Sequence, residues 1–367
     1  MTYDAVIVGA GIVGAACAAS LSLSGLKVVV IDGKGIATGT TAAGMGHIVV
    51  MDDSEAQFAL TRYSQQLWEQ LAVQMPTSCE FENCGTIWVA ADEQEMGEVR
   101  RKHDFYRARG IETEILDASS LRESEPNLRE GLAGGLLVES ARVVYQLTAS
   151  NYLLESSGVE IRTGSPVSQV TNDGVRLANG ESMTVGVVVN AAGINAPDLS
   201  PGIRIDKRKG HLVITDRYSN FARHQLVELG YLKSAHGRET GSVAFNLQPR
   251  ATGQMLLGSS RQFGVDNTGI DREMLRRMTS RAFEYMPRLR NLSVVRVWTG
   301  FRPSTPDNLP YIGPSPTQEN VFIAAGHEGL GITTALGTAE LITDMILGRE
   351  STIPVAPYLP SRKIEAH

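Results

Sequence analysis

The chain has few cysteines, and their placement excludes several kinds of cofactor. Its 367 residues include three: Cys17, Cys79 and Cys84. The interval between the last two fits neither a CxxC redox motif nor a zinc knuckle, and no further cysteine could complete an iron–sulfur cluster. Cys17 falls in an apolar helical stretch, where a thiol serves as a small core residue. The sequence therefore predicts no metal centre, and we expect a cytoplasmic protein.

An excess of basic charge is also missing. Lys and Arg number 34 against 40 Asp and Glu, the net charge is -6 at pH 7, and the isoelectric point is about 5.7. Nucleic acids and anionic membranes are bound through basic surfaces, so neither is an expected partner. A hydrophobic content of 42% and a charged content of 20% are typical of a soluble globular protein. A small organic substrate or a protein partner fits this composition better.

Long uninterrupted apolar runs are scarce. The most apolar stretch, Val6–Val30, is interrupted by three serines and Lys27, and Asp4 precedes it where a signal peptide needs a basic residue. The sequence therefore predicts neither a signal peptide nor a membrane span.

The same stretch carries the main motif of the chain. Residues 4–32 follow the pattern strand, tight turn, helix, strand, with GAGIVG at the turn. Gly9 allows the sharp turn, Gly11 lets the backbone approach a pyrophosphate, and Gly14 lets the helix pack closely on the sheet. Asp32 ends the second strand, where a carboxylate accepts a hydrogen bond from a ribose 2′-OH and disfavours a 2′-phosphate. The motif predicts a dinucleotide site and leaves the identity of the dinucleotide open.

Three further stretches rich in small residues follow predicted strands. They are Gly39–His47, Ala191–Gly193 and Gly326–Thr333, and the last leads into a long apolar helix that ends near Gly348. Small residues let a ligand lie against backbone, and a helix N-terminus attracts negative charge. From Gly210 to Arg296 the pattern changes to alternating strands, which indicates a second domain with an antiparallel sheet.

These motifs together resemble those of a known superfamily over nearly the whole chain. GAGIVG with Asp32, GTTAAGMG, VVVNAAG, WTGFRPSTPDNLPYIGP and AAGHEGLGITTALGTAELI are similar to segments of the D-amino-acid oxidase, glycine oxidase and sarcosine oxidase superfamily of FAD enzymes. GHEGLGIT and MGHIVVMDD further resemble the catalytic β-type subunits of heteromeric proline and D-hydroxyproline dehydrogenases.

The resemblance implies an α/β fold. It consists of a Rossmann-type FAD-binding domain and an interleaved α+β substrate domain, built on a mainly antiparallel sheet that covers the flavin. The FAD-binding domain is expected to be discontinuous, over 1–80, 140–206 and 297–367. The substrate domain is expected over 81–139 and 207–296.

The resemblance also implies which residues hold FAD. In the family pattern the glycine turn meets the pyrophosphate, Val167 meets adenine through its backbone, and Gly329–Thr333 faces the flavin pyrimidine edge. The full expected set is Gly9, Gly11, Ile12, Val13, Gly14, Asp32, Gly33, Thr40, Thr41, Ala43, Gly44, Met45, Gly46, Val167, Ala191, Ala192, Gly193, Gly300, Arg302, Gly329, Leu330, Gly331, Ile332 and Thr333. FAD is expected without a covalent link, because Gly300 and Ala42 replace the cysteine and histidine that hold flavin in related enzymes.

The chemistry implied is hydride transfer from an amine-bearing carbon to flavin N5, which gives an imine. Arg302, in the GFRP segment, matches the arginine that binds the substrate carboxylate. Glycine oxidases tend to carry a second arginine where this chain has Glu328-Gly329-Leu330, so Arg261 is a candidate helper. Glu328 and His47 are candidates for contact with the substrate amine or a ring hydroxyl.

Several functions stay open at this level. The leading one is dehydrogenation of a small amino acid or cyclic secondary amine, with electrons passed to partner subunits that carry further flavin or iron–sulfur cofactors. The alternatives are a self-sufficient oxidase that makes hydrogen peroxide, a flavin hydroxylase that uses NAD(P)H, and a chain that binds FAD only structurally.

Overall fold

The computed structural model divides the chain into two compact units. It describes residues 3–171, 173–230 and 241–364. The first unit comprises Met1–Cys79, Val144–Lys207 and Phe301–His367, and the second comprises Glu80–Val143 and Arg208–Gly300.

The regular elements of the described residues are numbered in chain order. The strands are β1 (Tyr3–Val8), β2 (Val28–Ile31), β3 (His47–Ile48), β4 (Thr86–Ala90), β5 (Thr113–Asp117), β6 (Gly134–Val138), β7 (Arg142–Val143), β8 (Glu160–Arg162), β9 (Val167–Thr171), β10 (Gly174–Leu177), β11 (Ser182–Asn190), β12 (Asp206–Arg217), β13 (Gln225–Glu228), β14 (Gly241–Pro249), β15 (Gln254–Phe263), β16 (Val294–Ser304), β17 (Tyr311–Pro314) and β18 (Val321–Ala325). The helices are α1 (Ile12–Leu23), α2 (Glu55–Ala72), α3 (Glu93–Arg107), α4 (Ala118–Ser124), α5 (Gln146–Ser157), α6 (Ala196–Leu199), α7 (Arg272–Tyr285) and α8 (Gly331–Leu347).

The first unit is built on a sheet with a parallel centre. Its order is β17-β18-β11-β1-β2-β8, and β10 pairs with both β11 and β9. The strands β18, β11, β1, β2 and β8 run parallel to one another, whereas β17 is antiparallel to β18 and β10 is antiparallel to β11. Every residue of β2 is buried, as expected for a strand covered on both faces.

Close backbone contacts fix helix α1 against this sheet. A Cβ atom on Gly14 would lie 1.9 Å from the carbonyl oxygen of Gly9, and one on Gly9 would lie 2.5 Å from that of Ala191. Gly9 also has a φ of +111°, which side-chain-bearing residues rarely adopt. The glycines at these two positions therefore allow the strand, the turn and the helix to meet without intervening side chains.

The second unit is built on a mainly antiparallel sheet. Its order is β16-β12-β15-β14-β13-β4-β6-β5, and the pair of β13 with β4 is parallel. Helix α7 packs on one face, where the ring of Tyr285 stacks on Phe245 with centroids 4.8 Å apart. The N-terminus of α7 is capped by Asp271, whose side chain accepts hydrogen bonds from the backbone N–H groups of Glu273 and Met274.

The predicted fold class, α/β with a parallel-centred sheet and a second, mainly antiparallel sheet, is confirmed. The assignment of the two units to FAD and to substrate stays a prediction. Within the described residues, no helix combines the length and the apolar character needed to cross a bilayer.

Two glycine-to-alanine variants test the role of the close helix contact. We expect Gly14→Ala to lower the free energy of unfolding by about 1–3 kcal/mol or more, because the added methyl group meets rigid backbone. Gly97 lies on the exposed surface of α3, and a Cβ there meets no described atom within 4 Å. Gly97→Ala should therefore raise stability by roughly 0.5–1 kcal/mol. Thermal unfolding of both variants measures the difference, and equal effects would contradict the role given to Gly14.

Candidate active site

The turn after β1 presents bare backbone and a helix N-terminus. Gly11 is the N-cap of α1 and has no side chain to cap the helix, and the Thr41 hydroxyl accepts a hydrogen bond of 3.0 Å from the Ile12 N–H. A Cβ on Gly11 would lie 3.1 Å from this hydroxyl oxygen. The amides of the first helical turn have no helical partners and carry a partial positive charge. The turn is therefore suited to an anion such as a pyrophosphate.

Asp32 lies directly beside this turn. Its Oδ2 atom accepts a hydrogen bond of 2.8 Å from the backbone N–H of Ala10, and its Oδ1 atom accepts from those of Lys34 and Gly35 at 2.7 and 3.0 Å. A carboxylate offers about four acceptor positions, so this arrangement leaves one for a ribose hydroxyl.

The predicted residues Gly33, Val167 and Ala191–Gly193 lie next to the turn after β1 and to the strand ends near it. A Cβ on Gly33 would lie 3.0 Å from Cβ of Pro166, which immediately precedes Val167 at the start of β9. On the other side of the turn, the Ala191 N–H donates to the carbonyl oxygen of Val8 at 2.9 Å. Ala192 and Gly193 follow it as the connection out of β11.

The loop after β2 is held by contacts on both sides. Thr40–Ala43 forms a short 3-10 helix, and the Thr40 hydroxyl donates to the carbonyl oxygen of Phe301 at 2.8 Å. The Gln146 amide nitrogen donates to the carbonyl oxygen of Gly44 at 2.8 Å. A Cβ on Gly44 would lie 2.6 Å from Cδ1 of Ile332. The loop therefore packs on the first turn of α8 through the backbone of Gly44, at a position where a side chain would not fit.

Helix α8 begins beside α1. Its N-cap is Leu330, without a side-chain cap among the described residues, and a Cβ on Gly331 would lie 4.0 Å from Cγ2 of Val13. The Thr333 hydroxyl donates to the carbonyl oxygen of His47 at 2.8 Å. The contacts thus bring together three of the predicted cofactor segments, Gly9–Gly14, Thr40–Gly46 and Gly329–Thr333.

Trp68 and Gln146 support this arrangement, although the sequence did not indicate them as site residues. Trp68 is fully buried, and its Nε1 atom lies 3.1 Å from the carbonyl oxygens of Ile332 and Thr333. Trp68 occupies an apolar position of α2, so its sequence pattern indicates only a core residue. Contacts between distant segments of the chain reveal its role in holding the start of α8.

Arg302 lies over the loop that precedes α8. Ser304 and His327 form an antiparallel bridge, which places the end of β16 beside this loop. The Cδ and Nε atoms of Arg302 lie 3.6 Å from the position of a Cβ on Gly329. Glu328 has a φ of +50°, and its carboxylate accepts a hydrogen bond from the Gly329 N–H. The side chain of Arg302 is therefore in van der Waals range of the loop at Gly329.

Two histidines of the first unit are neutral near pH 7. Burial lowers the pKa of His47 and of His327 to about 3. The Nε2 atom of His327 lies 3.0 Å from the Thr338 hydroxyl, whereas the buried Nε2 atom of His47 has no partner among the described residues. The imidazole of His47 is therefore available as a neutral hydrogen-bonding group rather than as a cation.

Two predicted site residues belong to the second unit. Arg261, 8% exposed, lies in β15 opposite Ser242 of β14, and Gly300 lies in β16. The division of the chain therefore assigns Arg261 and Gly300 to a different unit from the other predicted site residues.

The first unit fits the requirements of a bound dinucleotide. It combines glycine positions that a side chain could not occupy, two neighbouring helix N-termini whose N-cap residues make no side-chain hydrogen bond, and an aspartate beside the first of them. The family described as "DAO: FAD dependent oxidoreductase" matches residues 4–345. The chain belongs to this family, so it is an FAD-dependent enzyme. The predicted superfamily and cofactor are confirmed.

Individual relatives are similar over their whole length. The hydrogen cyanide synthase subunit HcnC of Pseudomonas aeruginosa is 28% identical, with 98% of this chain and 96% of the relative covered. The glycine oxidase of Pseudomonas putida is 26% identical, with 99% and 100% covered. The crystal structure of glycine oxidase from Geobacillus kaustophilus has a TM-score of 0.89 at 24% identity, with 99% and 100% covered, which is a likeness of fold.

The low pKa of His327 predicts an acid-dependent loss of stability. An unfolded histidine binds a proton near pH 6.5 and the folded one near pH 3, so protons favour the unfolded chain between these values. His327→Gln should remove up to about 1.4 kcal/mol per pH unit from the fall in the free energy of unfolding over this interval. Denaturant unfolding of the holoenzyme at constant FAD concentration measures the slope.

Thr338→Val is the matched control for this measurement. It removes the partner of the imidazole and keeps the titrating group, so stability should fall at every pH while the slope persists. Equal slopes for the unaltered protein and His327→Gln would contradict the role assigned to His327.

Proposed function

We propose that the protein dehydrogenates a small amino acid or a cyclic secondary amine of the proline or D-hydroxyproline kind. We further propose that it is the catalytic subunit of a heteromeric complex. The observation that carries the proposal is the position of Arg302 over Gly329, next to the start of α8. In this position, Arg302 would provide a cation for the substrate carboxylate, beside the loop that is expected to face the flavin.

Arg302 is the residue we propose for holding the carboxylate. A guanidinium presents a planar fork that pairs with a carboxylate through two parallel hydrogen bonds, which fixes the orientation of the bound amino acid. The Cδ and Nε atoms of Arg302 lie within van der Waals range of a Cβ position at Gly329, so the Arg302 side chain lies along this loop. The Glu328 carboxylate accepts a bond from the Gly329 N–H, and we propose that it contacts the substrate amine.

When bound, FAD supplies the oxidant that takes hydride from the amine-bearing carbon, and the substrate becomes an imine. The chain's task is mainly to position the substrate, since the carbon that gives up the hydride must lie about 3–3.5 Å from the acceptor atom. The N-terminus of α8 stabilises negative charge that develops beside it. The neutral His47 can exchange a hydrogen bond without adding charge. We propose that FAD is held without a covalent bond, because Gly300 and Ala42 offer no nucleophile.

The proposed subunit role rests on electron transfer. Three scattered cysteines cannot hold an iron–sulfur cluster, so electrons must leave through oxygen, a diffusible acceptor, or a cofactor on another chain. A relative of 28% identity is named as a subunit of hydrogen cyanide synthase, which supports a partner chain. We propose partner subunits that carry further flavin or iron–sulfur cofactors.

A self-sufficient glycine or D-amino-acid oxidase is the second candidate. The similarity to glycine oxidases, such as that of Pseudomonas putida at 26% identity over nearly the full length, favours it. The sequence Glu328-Gly329-Leu330 argues for the first candidate, because glycine oxidases tend to carry a carboxylate-binding arginine there.

Replacement of Arg302 tests the carboxylate contact. We expect Arg302→Lys to keep the charge and lose the planar fork, at a cost of about 1.5–3 kcal/mol, which lowers kcat/KM roughly ten- to a hundredfold. FAD content should stay normal. Arg349→Lys is the control, because Arg349 is exposed beyond the far end of α8. Unchanged kinetics in Arg302→Lys would remove this residue from the site.

The electron acceptor separates the two candidate functions. The isolated holoenzyme is mixed with D- and L-amino acids, including proline and hydroxyproline, and flavin bleaching is followed without oxygen. For each bleaching substrate, oxygen uptake is then compared with reduction of an artificial dye. We expect dye reduction with little oxygen uptake, because the natural acceptor is a partner chain. Rapid peroxide formation by the isolated chain would support the oxidase instead.

A further inference from the structure

The side chain of Arg362 joins two segments of the first unit. It is only 7% exposed, and its Nε and Nη2 atoms donate to the two carboxylate oxygens of Asp307 at 2.7 and 2.8 Å. Nη2 also donates to the carbonyl oxygen of Leu309 at 2.7 Å, and Nη1 donates to that of Pro310 at 3.1 Å. A planar guanidinium that pairs with both oxygens of a carboxylate fixes the orientation of the pair as well as its position. Arg362 therefore holds the turn 307–310 through one side chain and two backbone carbonyl groups.

Residues 356–362 are themselves attached to the rest of this unit. The Tyr358 hydroxyl donates to the carbonyl oxygen of Ala56 in α2 at 2.6 Å, and Tyr358 is buried. A Cβ on Gly313 would lie 2.8 Å from Cδ2 of Leu359, so this segment also packs on β17. The guanidinium that binds the turn therefore extends from a segment that α2 and β17 hold in place.

The turn itself depends on the Asp307 carboxylate. The Thr305 hydroxyl donates to the carbonyl oxygen of Leu309 at 2.7 Å, and the carboxylate accepts from the Leu309 N–H at 3.2 Å. Leu309 is thus held from both sides, so these three residues form one hydrogen-bonded group. A shift of the carboxylate would therefore be passed on to Thr305.

Thr305 lies against the loop that precedes α8. Its Cγ2 atom is 2.5 Å from the position of a Cβ on Gly326, which has a φ of +85°. The Glu328 N–H donates to the carbonyl oxygen of Pro303 at 2.8 Å. Arg302 directly precedes Pro303, so the same contacts set its backbone position beside this loop.

We propose that Arg362 is a positioning residue for Arg302, and that it acts through Asp307 and the turn to set where the Arg302 guanidinium meets the substrate carboxylate. This inference rests on the proposed role of Arg302 in binding that carboxylate. Such a reaction depends steeply on geometry, because a displacement of about 1 Å caused by a distant substitution can cost about a hundredfold in rate. The contacts behind Arg302 are therefore part of what the reaction requires.

Two variants of the same segment separate this role from simple stabilisation. Arg362→Lys keeps the positive charge and loses the planar fork that pairs with Asp307. We expect kcat/KM for the best amine substrate to fall at least about tenfold at full FAD content. Tyr358→Phe is the matched control, because it removes the bond to Ala56 and leaves the contact with Asp307 intact. The control should lower the unfolding temperature and leave kcat/KM unchanged.

A second genetic background tests whether the effect passes through Arg302. In a protein that already carries Arg302→Lys, the further change Arg362→Lys should alter kcat/KM by less than about twofold, because the group that it positions is gone. A general loss of stability would give the same fold change in both backgrounds. Equal falls in the two backgrounds would therefore refute the positioning role.

Hydrogen exchange measures the same contact without a substrate. The Glu328 amide is bonded to the carbonyl oxygen of Pro303, so its exchange rate reports whether the two segments stay together. Mass spectrometry of the holoenzyme follows this rate. We expect exchange to be at least about tenfold faster in Arg362→Lys than in Tyr358→Phe or the unaltered protein.

Unchanged exchange at Glu328 in Arg362→Lys would overturn the inference, and so would faster exchange combined with unchanged kcat/KM. If Arg362→Lys binds no FAD, Asp307→Asn replaces it in each measurement, since it keeps the arginine and removes the paired charge. If no amine reduces the flavin, the proposed function fails separately. Exchange at Glu328 then decides the inference alone, because a faster rate supports positioning of the segment and an unchanged rate refutes it.

Discussion

The close approach of helix α1 to the turn after β1 is the contact on which the first unit depends. With no side chain at Gly14, the helix lies against the carbonyl oxygen of Gly9, and Gly9 in turn lies against Ala191. These contacts set the position of the helix N-terminus relative to the carboxyl ends of the parallel strands. Asp32 then accepts from the Ala10 N–H, which ties the acid of the next strand to the same turn.

The start of α8 adds a second helix terminus to the first. Its position depends on contacts from three directions: Val13 of α1, the loop that contains Gly44, and the buried indole of Trp68. Two helix N-termini beside each other favour negative charge on a ligand more than either does alone. The site is thus assembled by packing between segments that are far apart in the chain, and its glycines keep the backbone accessible.

The two units differ in the groups that they present. The first presents backbone groups, which suit a cofactor whose phosphates, ribose and flavin edge need hydrogen-bond partners. The second carries polar side chains in its sheet, among them Asn246, Gln248 and Arg261. Backbone recognition tolerates sequence change as long as small residues stay, whereas side-chain recognition changes with each substitution.

The sequence by itself determined the dinucleotide turn, the fold class and the FAD-dependent family. Glycine spacing and apolar strand patterns are local features, so they can be recognised within one continuous segment of the chain. The sequence also indicated Arg302 from a local motif. Only the tertiary structure decided that Gln146 holds the loop at Gly44, that Trp68 holds the start of α8, and that Arg302 lies over Gly329. These facts depend on contacts between residues distant in sequence and on strand register, which no local pattern encodes.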